Sequence, residues 1–160
     1  MWKRVENLGS KFRRHWKNYV FQSLFAIITV ILALLLLNIQ ERPIIVASVG
    51  ATAFIVFALP KDSTANTANV IGGHLIGVLS GSVATLLPVG DLTIVAYSFA
   101  VGLSIFLMVI TDLEHPPASG TALSIATRGF SYNGVAGLMI SVIILASVHY
   151  FFRDRLRNLR

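Results

Sequence analysis

The sequence predicts an all-α fold, a polytopic bundle of membrane helices with four full spans and two short or re-entrant helices that each start at proline. Composition and pattern carry this prediction. Charged residues make up only 12% of the 160-residue chain, and its mean hydropathy is +0.75. A soluble domain of this size still exposes about a third of the surface of its unfolded chain, so it could not hide so apolar a composition. The second observation is four long apolar runs that hold no Asp, Glu, Lys or Arg and only two histidines. The absence of cysteine excludes a disulfide scaffold and a thiolate-held zinc or iron–sulfur centre.

The first run, residues 20–39, is apolar at 16 of 20 positions and uncharged. Residues 70–87 contain His74, residues 92–111 are uncharged, and residues 135–152 contain His149 near their end. Each is long enough to cross about 30 Å of hydrocarbon. The basic start followed by an apolar run has the outline of a signal peptide. The run is too long for one, and no small-residue cleavage site follows before Glu41, so it reads as an uncleaved first span.

The formal net charge of +6 suggests nucleic-acid binding until the charges are placed. Lys3, Arg4, Lys11, Arg13, Arg14 and Lys17 precede the first run; Arg153, Arg155, Arg157 and Arg160 follow the last. Both clusters abut apolar runs, as juxtamembrane anchors do. The predicted organisation is a basic cytoplasmic segment (1–19), a transmembrane domain (20–152, halves about 20–87 and 92–152) and a basic cytoplasmic tail (153–160). An inner, bacterial-type cell membrane is the expected location, with an even number of crossings. Trp2, Trp16, Tyr19 and Tyr150 flank the spans as interfacial aromatics do.

Two shorter apolar segments remain, residues 44–59 and 116–127. Pro43 opens one, and Pro116 with Pro117 opens the other, where the missing N–H costs a helix nothing. Each has a core of small residues, Gly50-Ala51-Thr52-Ala53 and Ser119-Gly120-Thr121-Ala122, and each precedes a span opening near asparagine (Asn69, Asn133). The chain thus reads as span, short helix, span, twice over. The halves are inverted if the short helices cross the bilayer and parallel if they only dip into it. Paired interrupted segments of this kind point to a transporter's substrate site.

Two helix N-termini facing one site would offer unpaired N–H groups and partial positive charge to a small anion. Ser48, Thr52, Ser119, Thr121 and Ser124 can add hydroxyl donors, and Gly50 and Gly120 allow close backbone approach. The competing reading of these small residues is tight helix packing. His74 is the ionisable group well inside a span, able to donate to an anion, to carry a coupled proton or to sit neutral against a neighbouring helix. His115 caps or lines the start of the second short segment. Arg128 closes it, either attracting an anion or anchoring a helix end. Gly73, Gly77 and Gly81 form a stripe for close packing, within the chain or between copies of a homo-oligomer. Asp112, Glu114, His115 and His74 could be grouped as a metal site, but no HExxH, cysteine cluster or nucleophile elbow accompanies them. Neither an enzyme nor a cofactor is expected.

The run Glu114-His115-Pro116-Pro117-Ala118-Ser119-Gly120-Thr121-Ala122-Leu123 resembles the signature of the HPP family of integral membrane proteins, named for His-Pro-Pro. The likeness extends to Val46–Ala53 and to Asn69-Val70-Ile71-Gly72-Gly73-His74, and so covers most of residues 22–152. The resemblance implies a four-helix transmembrane region. It also implies transport of a small inorganic anion, nitrite in the plastid and cyanobacterial members, with His115, Pro116, Pro117, Thr121, Gly72, Gly73 and His74 as the positions to carry over. The chain departs from the family pattern before Asn69: Asn66-Thr67-Ala68 stands where a proline and a base are often found. The rival expectation is a non-transporting membrane module that regulates or stabilises a partner.

Overall fold

The computed structural model describes residues 2–35, 43–88 and 92–159, with side chains from Arg13 onward except Pro43. The end of the first predicted span, Glu41, Arg42, Asp91 and Arg160 lie outside the described residues. Six α-helices follow in order: α1 (Trp2–Leu34), α2 (Pro43–Ala58), α3 (Thr67–Ala84), α4 (Thr93–Ile110), α5 (Pro117–Arg128) and α6 (Tyr132–Phe152). A single 3-10 turn, Ser63–Ala65, lies between α2 and α3.

Four of the helices are long and apolar enough to cross a membrane: Arg13–Leu34, Thr67–Ala84, Thr93–Ile110 and Tyr132–Phe152. The basic N-terminal segment is not separate from the first of them, because α1 runs unbroken through both. At 1.5 Å per residue α2 spans about 24 Å and α5 about 18 Å, short of the hydrocarbon thickness.

The helices alternate in direction. Along α3, Gly73, Gly77 and Gly81 meet Ala118, Thr121 and Ile125 of α5 in ascending order, so these two run parallel. Ser48 of α2 meets Pro117, Gly120 and Thr121 while Thr52 meets His115, so α2 opposes α5. Gln22 bonds to Arg157 and Ala33 to Ser141, so α1 opposes α6. The C-terminal ends of α2 and α6 meet where His149 Nε2 lies 2.9 Å from Pro60 O, and beyond α6 the tail's Leu159 N–H donates to Ala58 O at 2.9 Å. Both termini therefore lie at one end of the bundle.

Two kinds of packing fill the interior. Between α1, α2 and α6 the core is aliphatic, with Ile45, Val49, Val56, Leu138, Val142 and Leu145 fully buried. Between α3, α4 and α5 the seam is made of small side chains, Ala84, Ala100 and Ala122. A methyl group on Gly77 would lie 2.4 Å from Ala118 O, and one on Gly81 2.6 Å from Ala122 O. The glycine stripe thus packs α3 against α5 within the chain. The outer faces carry the large apolar residues, among them Phe21, Ile28, Leu32, Ile94 and Phe106. That inside-out distribution suits a lipid solvent.

The tail folds back onto the terminal end. Leu156 is fully buried there. Gln22 Nε2 donates to Phe57 O and, at 2.9 Å, to Arg157 O, while Gln22 Oε1 accepts from Arg157 N at 3.0 Å. One polar residue in an otherwise apolar run of α1 thereby ties α1, α2 and the tail together.

Candidate functional site

The loop after α4 sets the site. Asp112, at φ +54, ends the helix: its N–H returns to Val109 O and that of Leu113 to Met108 O at 2.9 Å, a Schellman closure. Asn69 Nδ2 donates to Glu114 O (3.2 Å) and toward Asp112 O (3.4 Å), pinning the loop to α3. Leu113 and His115 then fold over Gly72 and Gly73, where an added Cβ would meet Leu113 Cδ1 at 2.8 Å and His115 Cβ at 2.7 Å. These two glycines make room for the histidine that follows.

His115 is fully buried and points inward. Its Nδ1 lies 2.8 Å from Thr64 O, and its Nε2 lies 3.0 Å from Thr52 Oγ1. A carbonyl only accepts, so Nδ1 carries hydrogen and the neutral ring turns a lone pair toward Thr52. Burial pulls the His115 pKa down from 6.5 to about 4, partly opposed by the bond to Thr64.

Thr52 Oγ1 also lies 2.9 Å from His74 Nε2, and His74 Nδ1 lies 2.8 Å from Thr121 Oγ1. Thr121 Oγ1 is 3.1 Å from Ser48 Oγ, which donates to Pro117 O at 2.6 Å. Thr52 additionally sits 3.0 Å from Ser48 O, one helical turn back. Ser48 is 4% exposed, and Thr52, His74, His115 and Thr121 are 0% exposed. Burying five polar groups among apolar helices is tolerated because each finds a partner; an unmet one costs about 1–3 kcal/mol. Ser80 and Ser124 are also fully buried, and their hydroxyls have no partner among the described residues. Each lies about one turn beyond the Gly77–Thr121 contact, on α3 and α5 respectively.

The sequence-predicted residues divide in two. Ser48, Thr52, His74, His115, Pro117 and Thr121 converge, with Gly120 against Ser48 at 3.5 Å and Gly72 and Gly73 beneath the loop. Ser119 instead faces α4, accepting from Ser104 Oγ at 3.2 Å. Pro116 is exposed and lines a groove of about 380 Å³ with Ile105, Met108, Val109, Glu114, Ser119 and His115, through which the groove touches the cluster. Arg128 is exposed at the far end of α5, seven residues or about 10 Å from Thr121. The expectation of two helix N-termini facing one site is corrected. Only α5 starts at the cluster; α2 passes it at Ser48 and Thr52, five and nine residues in from Pro43, because the two helices run antiparallel. Sequence reading missed Thr64, which contributes only a carbonyl. It also saw Asn69 as a repeat marker and as part of the family-like run, not as the residue that holds the loop; an amide in an apolar helix was the available signal.

The fold and this buried polar cluster define a polytopic α-helical integral membrane protein. The family model described as "HPP, transmembrane region" matches residues 11–155. The chain belongs to the HPP family. Two relatives from Dictyostelium discoideum, named only as transmembrane proteins, are similar to it. One is 34% identical over 79% of this chain and 50% of its own length, the other 31% identical over 72% and 41%. The chain thus spans half or less of the curated relatives it matches. No solved structure matches it.

Proposed function

We propose that the chain is a membrane carrier or channel for a small inorganic anion, with nitrite as the first candidate substrate. The observation that carries this reading is the cluster of Ser48, Thr52, His74, His115 and Thr121, buried together and hydrogen-bonded across α2, α3 and α5 inside a bundle of apolar helices. Polar and ionisable groups inside a membrane are costly and mark pathways. The cluster offers neutral hydroxyl and imidazole donors beside the start of α5, a chemistry suited to a small anion that must also leave. Ser80 and Ser124 extend the polar track toward the far end. Nitrite itself rests on the family resemblance.

Several further elements go with this reading. The Thr52/Thr121 pair that marks the two halves grips opposite nitrogens of one ring, and α2 opposes α5, as inverted halves require. Positive residues at the terminal end support a cytoplasmic position for that end, in a bacterial-type inner membrane. With so few helices to enclose a pathway, the reading includes a homo-oligomer, and it assigns the chain to transport rather than catalysis. A non-transporting module that stabilises a partner is favoured by one observation: the cluster's groups satisfy mainly one another. Purified protein in liposomes decides. Flux of nitrite, nitrate or formate above protein-free vesicles, reduced in Thr121→Val and His74→Ala, supports the carrier; flux no greater than in empty vesicles overturns it.

A further inference from the structure

Between the carbonyls of Thr64 and Pro117 the site forms one chain: Thr64 O, His115, Thr52, His74, Thr121, Ser48, Pro117 O. Its links measure 2.8, 3.0, 2.9, 2.8, 3.1 and 2.6 Å. Both terminal groups only accept. Five side chains with neutral rings hold five mobile hydrogens, one each, for these six links and for a side branch, Thr52 Oγ1 to Ser48 O at 3.0 Å, whose carbonyl also only accepts. With the Thr52 hydrogen turned to His115 rather than to Ser48 O, one link of the chain lies empty. The longest, Ser48–Thr121, is the natural vacancy. Leaving it empty orders the rest: Thr121 donates to His74 Nδ1, His74 Nε2–H to Thr52, Thr52 to His115 Nε2, and His115 Nδ1–H to Thr64.

We infer that this chain is a one-proton acceptor, whose sixth proton fills the empty link and is shared by His74 and His115 across the Thr52 hydroxyl. The bookkeeping balances. The arriving proton lands on Thr121 Oγ1 in the empty link and points to Ser48; Thr121 passes its own hydrogen to His74 Nδ1, His74 passes its Nε2 hydrogen to Thr52 Oγ1, and Thr52 passes its own to His115 Nε2, which makes that ring a double donor. When the charge moves to His74, the hydrogen on His115 Nε2 passes to Thr52 while Thr52 passes its own to His74 Nε2. No atom is left without a partner in either state.

The elements packed against the pair carry the following titratable and charged groups. Thr64 lies on the 3-10 turn, with Lys61 and Asp62 just before it; Asp112 and Glu114 lie on the loop from α4; Arg128 lies at the far end of α5; α2 contributes Ser48 and Thr52. A cation this deeply buried calls for a counter-charge. This inference rests on the anion-carrier reading for its consequence: proton and anion occupy the site together, so the loaded protein moves no net charge through a low-dielectric interior.

The test reads the rings directly, by ¹⁵N nuclear magnetic resonance of histidine in full-length protein in nanodiscs, from pH 8 downward. At pH 8, His115 should be the Nδ1–H and His74 the Nε2–H tautomer. On acidification both should shift at one common midpoint, as coupled sites do, and nitrite should raise that midpoint. Thr52→Val should separate the two titrations by more than about one pH unit, while Thr52→Ser retains the common midpoint. Independent midpoints in the native chain, a His115 Nε2–H tautomer at pH 8, or unfolding before either ring titrates would overturn the inference. A common midpoint without nitrite flux refutes the carrier reading alone, and flux with independent titrations refutes this inference alone.

Discussion

Replacing Gly77 by alanine should disable the site from a distance, and the structure sets the size of the effect. The new Cβ would lie 2.4 Å from Ala118 O and 3.2 Å from Thr121 Cβ. An ordinary carbon–oxygen approach is about 3.3 Å or more, so α3 and α5 must separate locally by about 1 Å. Both struck atoms belong to α5, and the carbonyl cannot swing aside as the end of a side chain can. The same separation takes His74 Nδ1 and Thr121 Oγ1 from 2.8 Å to beyond hydrogen-bond range. Overpacking costs about 1–3 kcal/mol, and a lost buried bond about 1 kcal/mol. Alanine's better helix propensity returns at most about 1 kcal/mol. The net loss is about 1–3 kcal/mol. Gly102→Ala is the control, because nothing lies within 4 Å of its added Cβ. Thermal unfolding in detergent, followed by size-exclusion chromatography, should show Gly77→Ala melting clearly below the native chain and Gly102→Ala at or above it. Equal midpoints for the two variants would refute the close packing of α3 on α5.

Thr121→Val keeps the shape but strips His74 Nδ1 of its partner, and should lower stability by about 1–3 kcal/mol in the same assay. Gln22→Leu leaves the Arg157 N–H and the Phe57 and Arg157 carbonyls without this partner; limited proteolysis should show the tail after Phe152 released before the rest of the bundle. His115 binds protons more weakly folded, at a pKa of about 4, than unfolded, at 6.5. Its contribution is therefore complete above about pH 6.5 and is lost as pH falls toward 4, by about 3 kcal/mol at 1.4 kcal/mol per unit. His115→Gln should flatten the melting midpoint's dependence on pH over that window; an unchanged slope would refute the assignment. Arg128→Ala, remote from the cluster, should leave the histidine tautomers unaltered.

Much of the site was legible in the sequence because its chemistry is written in residue types. Histidine and hydroxyls stand out in apolar runs, and prolines mark where the short helices start. Ser119 and Arg128 were grouped with the cluster on the same evidence, yet they lie elsewhere. Ser119 is two residues from Thr121 on α5, and that rotation turns it to α4; Arg128 is two turns further along. Spacing alone gives a residue's face but not which neighbouring helix that face meets. Thr64 was invisible because its contribution is a backbone carbonyl, which every residue possesses.

Composition and pattern by themselves determined the class of protein, the four long apolar helices and the two short ones, since hydrocarbon requires every backbone group to be bonded within its own helix. The tertiary structure alone decided what the small residues are for. The direction of α2 against α5 removed one of two expected helix N-termini from the site. The approach of α3 to α5 through Gly73, Gly77 and Gly81 set His74 between Thr52 and Thr121. Hydrogen-bond partners distant in sequence are chosen by packing geometry, and only that geometry shows a chain of six links with five protons to fill them.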